Sequence, residues 1–387
     1  MDKIKWIKNE YVEGINLDLS YLSKNSTVEV RKFHEKFKEY DYTPLYKLNN
    51  LAKEFGLKNI YIKDESCRFN LNAFKVLGAL YAIGKYLSEE LDIPLEEIDF
   101  NNHKLKSIKK TFITATDGNH GRAVAWASNK LNQDCIVYMP KGSTSQRIKA
   151  IENENAKVVV IDGNYDEAVK LSEAAALENG YIVIQDTAWD GYEKIPMWIM
   201  KGYTTIISEV LDQIKNEKIT HVFLQAGVGS FAGSILGYLI ENLEEDAPTC
   251  IIVEPDKADC LYRSIEAGQI QIVEGDLNTI MAGLACGNPN YISYEIIKKH
   301  SDFLLSCSDD ISKIGMRILS SPIFDDYRII SGESGAVGMG ALYKICKDNK
   351  YEDLKVELDL NSKSNILIIS TEGNTDFNKY LEIIWGL

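Results

Sequence analysis

Residues 110–131 read KTFITATDGNHGRAVAWASNKL, a short apolar run, a polar glycine turn and a stretch with helical spacing. This is a strand, a turn and a helix. The same succession returns at once, with DCIVYMPKG (134–142) leading into TSQRIKAIENENA (144–156). KVVVIDG (157–163) then leads into YDEAVKLSEAAALENG (165–180), and THVFLQAGVGSFAGSILGYLIENL (220–243) is a further unit. Upstream, NIYIKDES (59–66) precedes NAFKVLGALYAIGKYLSEEL (72–91); TCIIVEP (249–255) and NILIISTEGNTD (365–376) are late strands. Apolar strands that each feed an amphipathic helix predict an α/β protein, its mostly parallel sheets covered by helices on both faces.

Ligands of such sheets gather beyond the C-terminal ends of the strands. Four glycine-rich or polar stretches fall there: TDGNHG (116–121), QAGVGSFAG (225–233), SGESGA (331–336) and STEGNTD (370–376). In the second, Gly227, Val228, Gly229, Ser230 and Phe231 lie between a strand and a helix. Close backbone approach and the amides of a helix start suit a single phosphate there. The GxGxxxG spacing is one residue longer than the dinucleotide fingerprint and lacks the lysine of a P-loop.

Lys75 stands in the apolar run NAFKVLGALYA. It is either a lysine whose stem packs while its head reaches water, or a desolvated amine fit to condense with an aldehyde. A phosphate cradle in the same chain favours the second reading, because an aldehyde and a phosphate on one small molecule describe pyridoxal 5'-phosphate. Asp117, in ATDGNHG, is either a helix cap or a carboxylate able to exchange a proton in the cleft. Asp186, directly after YIVIQ, is a second carboxylate at a strand end, whereas His120 reads as a hydrogen-bonded residue of a helix start.

Composition excludes several classes. A net charge of -14 over 387 residues argues against nucleic acid and anionic membrane surfaces as partners. Seven dispersed cysteines without a CxxC pair point to reduced thiols and a cytoplasmic location. No run of apolar residues is long enough to span a membrane, and no His/Cys/Asp/Glu cluster has metal-ligand spacing.

YTPLYKLNNLAKEFGLKNIYIKDES (42–66) with the Lys75 segment, then DGNHG, GVGSFAG, SGESGA and TEGN in that order, resemble the fold type II pyridoxal phosphate enzymes, the tryptophan synthase β group. More narrowly, RFNLNAFKVLG (68–78), QDTAWDGYEKIPMWIMKGY (185–203), IIVEPDKADC (251–260), IMAGLACG (280–287) and RIISGESGAVG (328–338) are similar to the diaminopropionate ammonia-lyases.

The resemblance implies two domains, a larger cofactor-binding one (1–84 and 205–387) and a smaller mobile one (85–204) that closes over the cofactor, in a homodimer. It implies Lys75 as the cofactor lysine, Asn119 at the 3-hydroxyl, the amides of 227–231 at the phosphate, and Thr371 at the pyridine nitrogen, with Ser370 the alternative. Elimination of ammonia from 2,3-diaminopropionate, leaving pyruvate, is the implied reaction, with Lys75 and Asp117 as bases on opposite faces and Asp186 holding the second amine. A serine/threonine dehydratase is the alternative within the fold, and a non-catalytic ligand-binding α/β protein the alternative outside it. Asn70, the pair Ala79-Leu80, and Asn374 stand where the family carries glycine, Gly-Ser and aspartate.

Overall fold

The computed structural model describes residues 3–10, 17–99, 101–116, 118–215 and 217–386. The strands among them begin with Ile4–Lys8 (β1), Leu45–Lys47 (β2), Asn59–Asp64 (β3), Thr111–Ala115 (β4), Asp134–Met139 (β5) and Lys157–Val160 (β6). Ile182–Val183 (β7), His221–Gln225 (β8), Thr249–Pro255 (β9), Phe303–Cys307 (β10) and Asn365–Ser370 (β11) follow. The chain divides into two compact units, one of Met1–Lys24, Tyr42–Cys67 and Ile206–Leu387, the other of Asn25–Asp41 and Arg68–Thr205. Lys75 therefore belongs to the second unit.

The first unit holds a seven-stranded sheet in the order β1-β10-β9-β8-β11-β3-β2. Its five inner strands run parallel, and β1 and β2 close the edges antiparallel. Every residue of β3, β8, β10 and β11 is buried, as a parallel sheet covered on both faces requires. Burial extends even to Lys63, whose ammonium donates to Glu209 Oε2 at 2.6 Å, the Thr43 carbonyl at 2.8 Å and Gln213 Oε1 at 2.9 Å. Three donors meet three acceptors, which is how a charge is tolerated in a core. One face packs Phe223, Val253, Ile366 and Ile368 with Val337, Met339 and Leu342 of the helix Glu333–Lys347. That helix lies against Asp309–Ser320 so closely that a Cβ on Gly340 would sit 1.9 Å from the Ile311 carbonyl oxygen.

The second unit is built on a parallel four-stranded sheet, β6-β5-β4-β7. The helix Asn119–Lys130 packs on it at Gly121, where a Cβ would lie 2.3 Å from Thr116 Cγ2 and 2.7 Å from Val137 Cγ1. Residues 25–41 are tied in by the buried His34, whose ring nitrogens bond Thr205 Oγ1 and the Leu77 carbonyl, both at 3.0 Å.

The helical spacing from residue 72 becomes helix only at Val76–Leu91. Before it, Phe69 (φ 50°), Asn70 (φ 59°) and Asn72 (φ 62°) take left-handed conformations that break the helix. Asparagine accepts this geometry readily and phenylalanine does not. The Phe69 ring is held by Trp126 (centroids 5.3 Å apart), Tyr40 (5.8 Å) and His34 (6.1 Å). Among the described residues no helix is long and apolar enough to cross a membrane.

Candidate active site

Lys75 caps the helix Val76–Leu91, next to the positive end of the helix dipole. An ammonium is disfavoured there unless an anion faces it, and Asp186 supplies one by accepting from Lys75 Nζ at Oδ2. The pair is mostly out of solvent, with side-chain exposures of 18% and 6%. Burial is the largest influence and pushes the Asp186 carboxyl up, but the charge and hydrogen bond of Lys75 together with the other groups around it hold it at about 2. The pair joins residues 111 positions apart.

Asp186 is placed by its neighbours. Gln185 Oε1 accepts from Thr114 Oγ1 at 2.8 Å and the Ala115 amide at 3.1 Å, while its Nε2 donates to the Ala115 carbonyl at 3.0 Å and the Tyr165 hydroxyl at 2.7 Å. Tyr192 accepts from the Gln185 amide and donates to the Val183 carbonyl, both at 2.9 Å, and stacks on Trp189. These contacts also stop β7 after two residues, although YIVIQ reads as a longer strand. Nothing in the sequence near Gln185 announced this anchoring.

His120 lies beside the pair. Its Nε2 bonds the Ile184 carbonyl at 2.8 Å, and its Nδ1 stands 3.9 Å from Asp186 Oδ2. A carbonyl accepts only, so Nε2 carries the hydrogen and Nδ1 is a bare lone pair. That Nδ1 is buried without a hydrogen-bond partner among the described residues, as is the hydroxyl of Tyr203. The Tyr203 ring packs 4.8 Å from that of Phe74, the residue before Lys75. Burial pushes the His120 pKa down, against the pull of Asp186, so the ring is neutral at neutral pH. Asn119 begins the helix that carries His120. Asp117 falls outside the described residues.

In the first unit, three of the four polar stretches meet. Gln225, the last residue of β8, donates from Nε2 to Thr371 Oγ1 and to the Ile369 carbonyl, both at 2.8 Å. Ser370 Oγ bonds Ser331 Oγ at 2.8 Å, and Glu372 accepts from the amides of Gly332 and Ser334 at 2.9 Å each. Thr371 thus receives a hydrogen bond on its oxygen and keeps its own hydrogen for another acceptor, whereas Ser370 is engaged with Ser331.

Gly227 to Phe231 run from β8 into the helix Ser230–Leu243. Gly229 has a φ of 97°, a conformation that favours glycine. A Cβ on Gly227 would lie 3.1 Å from Leu284 Cα and 3.2 Å from Cys286 Sγ, so only glycine fits without displacing its neighbours. Asn290 fixes the loop by donating to Ser230 Oγ and to the Val228 carbonyl, both at 2.8 Å. The first turn of a helix carries amides with no acceptor inside the helix, which is a cradle for a phosphate. Cys260 and Cys286 are both free thiols against this loop, with Cys260 Sγ 3.8 Å from the Gly227 carbonyl. Among the described residues no group of three or more His, Cys, Asp or Glu could hold a metal ion.

The second unit thus holds a largely buried amine paired with a carboxylate, and the first unit a glycine turn at a helix start and a hydroxyl with a hydrogen to donate. A family model described as "Pyridoxal-phosphate dependent enzyme" matches residues 37–371. The diaminopropionate ammonia-lyase of Escherichia coli (strain K12) is 47% identical over 387 residues, covering 99% of this chain and 96% of that protein. A crystal structure of the Escherichia coli enzyme in complex with an aminoacrylate-PLP azomethine reaction intermediate has a TM-score of 0.92 at 45% identity, covering 100% of this chain and 98% of that one. The complex of the Escherichia coli enzyme with D-serine has a TM-score of 0.93 at 45% identity, covering 100% and 97%.

Proposed function

The chain belongs to the pyridoxal-phosphate dependent enzymes and, among them, to the diaminopropionate ammonia-lyases, and from that premise we propose how its residues divide the reaction. It is a lyase that converts 2,3-diaminopropionate into pyruvate and ammonia by α,β-elimination, with pyridoxal 5'-phosphate as cofactor. Bound pyridoxal phosphate supplies an electron sink that acidifies the α C–H of an attached amino acid. Lys75 Nζ is the proposed attachment point for its aldehyde, and the amides of residues 227–231 the cradle for its phosphate. Asn119 is assigned to the 3-hydroxyl. Thr371 Oγ1 is assigned to the pyridine nitrogen in preference to Ser370, because its oxygen already accepts from Gln225 while its hydrogen remains to be donated. A neutral hydroxyl there leaves the ring nitrogen less protonated than a carboxylate would, which suits a reaction whose leaving group quickly removes the charge.

Lys75 Nζ is the proposed acceptor of the α-proton from the L-isomer, and the Asp117 carboxylate that from the D-isomer. Asp186, ionised and shielded from water, holds the second amine of the substrate. The observation that carries this reading is the largely buried pairing of Lys75 with Asp186 at a helix start. Lys75→Ala is expected to abolish both the visible absorbance of the cofactor-bound protein and pyruvate release. Asp117→Asn should suppress turnover of the D-isomer at least tenfold more than that of the L-isomer. Equal losses on both isomers would remove the two-base assignment, and turnover of L-serine or L-threonine with none of diaminopropionate would favour the dehydratase.

A homodimer is part of the same proposal. Phe324 and Tyr327, 87% and 59% exposed, offer apolar surface for a second copy. A cytoplasmic location is proposed because all seven cysteines are free thiols.

A further inference from the structure

The buried lone pair of His120 has no role in the reaction as described above. Nε2–H is committed to the Ile184 carbonyl, so Nδ1 can only accept, and it stands 3.9 Å from the carboxylate oxygen that accepts from Lys75. Two acceptors at that separation can share one nitrogen donor, since two hydrogen bonds of about 2.9 Å to a single atom span it. In the structure the Lys75 ammonium bonds the first of these acceptors, Asp186 Oδ2, and leaves Nδ1 unpartnered among the described residues. The buried hydroxyl of Tyr203, also without a partner among the described residues, feels the charges of both Lys75 and Asp186.

We propose that His120 Nδ1 is a specificity-determining acceptor for the β-ammonium of the substrate, acting with Asp186 once Lys75 is engaged by the cofactor. This rests on the ammonia-lyase reading and goes beyond it by stating how an amino leaving group is told from a hydroxyl. An –NH3+ group brings three donors and satisfies Asp186 and His120 together. When the C–N bond breaks, the nitrogen keeps the electron pair and departs as neutral ammonia, while the former α C–H electrons form the C=C bond. A hydroxyl brings one hydrogen. Asp186 takes it, and His120 Nδ1 is left facing an oxygen lone pair, a repulsive contact in a dry site. The discrimination comes from having acceptors only.

Two variants separate this from a structural role. His120→Gln keeps an amide group where Nε2 was, able to donate to the Ile184 carbonyl, and removes the acceptor at the Nδ1 position. His120→Asn does the reverse, placing its side-chain amide near Nδ1. Each is assayed as holoenzyme on L-diaminopropionate and on β-chloro-L-alanine, whose chloride leaves without needing an acceptor. The cofactor absorbance and the affinity for D-serine are recorded on the same samples. His120→Gln is expected to lower kcat/KM for diaminopropionate about 10- to 100-fold, the range of one charge-assisted hydrogen bond, and that for chloroalanine less than threefold. D-serine should bind His120→Gln more tightly than the wild type, and His120→Asn should recover part of the preference for the amine. Equal losses on both substrates, or no loss on either, with the cofactor absorbance intact, would overturn the proposal and leave His120 a structural residue. If the wild type itself released no pyruvate from diaminopropionate, the ammonia-lyase reading would fall first and this inference with it.

Discussion

The pairing of Lys75 with Asp186 can be tested without catalysis, by a double-mutant cycle on the cofactor-free protein. The Asp186 carboxyl is held at about 2, against an ordinary 3.8, although burial pushes it the other way. That gap corresponds to roughly 2 kcal/mol favouring the ionised group in the folded chain. The folded value is the lower one, so the unfolded chain binds the proton first as pH falls. The contribution is therefore complete above pH 3.8, whole at neutral pH, and lost only as pH falls toward 2. Asp186→Asn should destabilise the apoprotein by about 2 to 3 kcal/mol at pH 7.5, and Lys75→Met by a similar amount, because each leaves one buried charge facing a neutral group. The double variant removes both charges. Its loss should fall short of the sum of the two single losses by roughly 2 kcal/mol or more, since the pairing also offsets the cost of burying the carboxylate. Urea unfolding followed by circular dichroism measures all four corners of the cycle. Losses that add to within about 0.5 kcal/mol would refute the argument, for the two groups would then be energetically independent whatever their geometry.

Two further outcomes are expected. Thr371→Val, which keeps the shape and removes the hydroxyl, should lower kcat about tenfold, whereas Ser370→Ala should leave it nearly unchanged; the reverse order would move the pyridine partner to Ser370. Burial lowers the pKa of His221, whose Nε2 bonds the Leu358 carbonyl at 2.7 Å and whose Nδ1 bonds Thr220 Oγ1 at 2.7 Å. The unfolded chain then takes up the proton first below pH 6.5, so the stability advantage of the wild type over His221→Gln should be full above that pH. It should shrink on acidification by up to about 1.4 kcal/mol per pH unit, and parallel stability curves would show that the ring is not held neutral.

Much of the fold was legible because a parallel sheet buried on both faces leaves only apolar residues in its strands. VFLQ, CIIVEP and ILIIS can be little else, and each is an inner strand. The edges were not legible. β1, in KIKWIK, mixes three lysines with three apolar residues and gives no stronger signal than a surface loop. β2 is three partly exposed residues that owe their strand to pairing with β3. The helical spacing that begins at Asn72 becomes helix only at Val76 for a related reason. Asn72 fits a helical pattern in one dimension, and the turn before it is stabilised by rings that reach Phe69 from residues 34, 40 and 126.

The same division runs through the candidate site. Where main-chain atoms line a turn, the residue type itself is the record, since a Cβ at Gly227 would crowd Leu284 and Cys286 and glycine avoids the displacement. Where function is carried by a pair of side chains, each member is an ordinary residue until its partner is known. Lys75 in an apolar run has two readings, and the carboxylate that it meets in the folded chain, Asp186, lies 111 positions away. His120 carries the argument one step further, because its chemistry is set neither by its type nor by its neighbours in sequence. A backbone carbonyl 64 positions away fixes which ring nitrogen holds the hydrogen, and thereby turns a residue that can donate or accept into one that only accepts. A local motif records that a histidine follows DGN; it has no means of recording that the lone pair, rather than the N–H, faces the carboxylate.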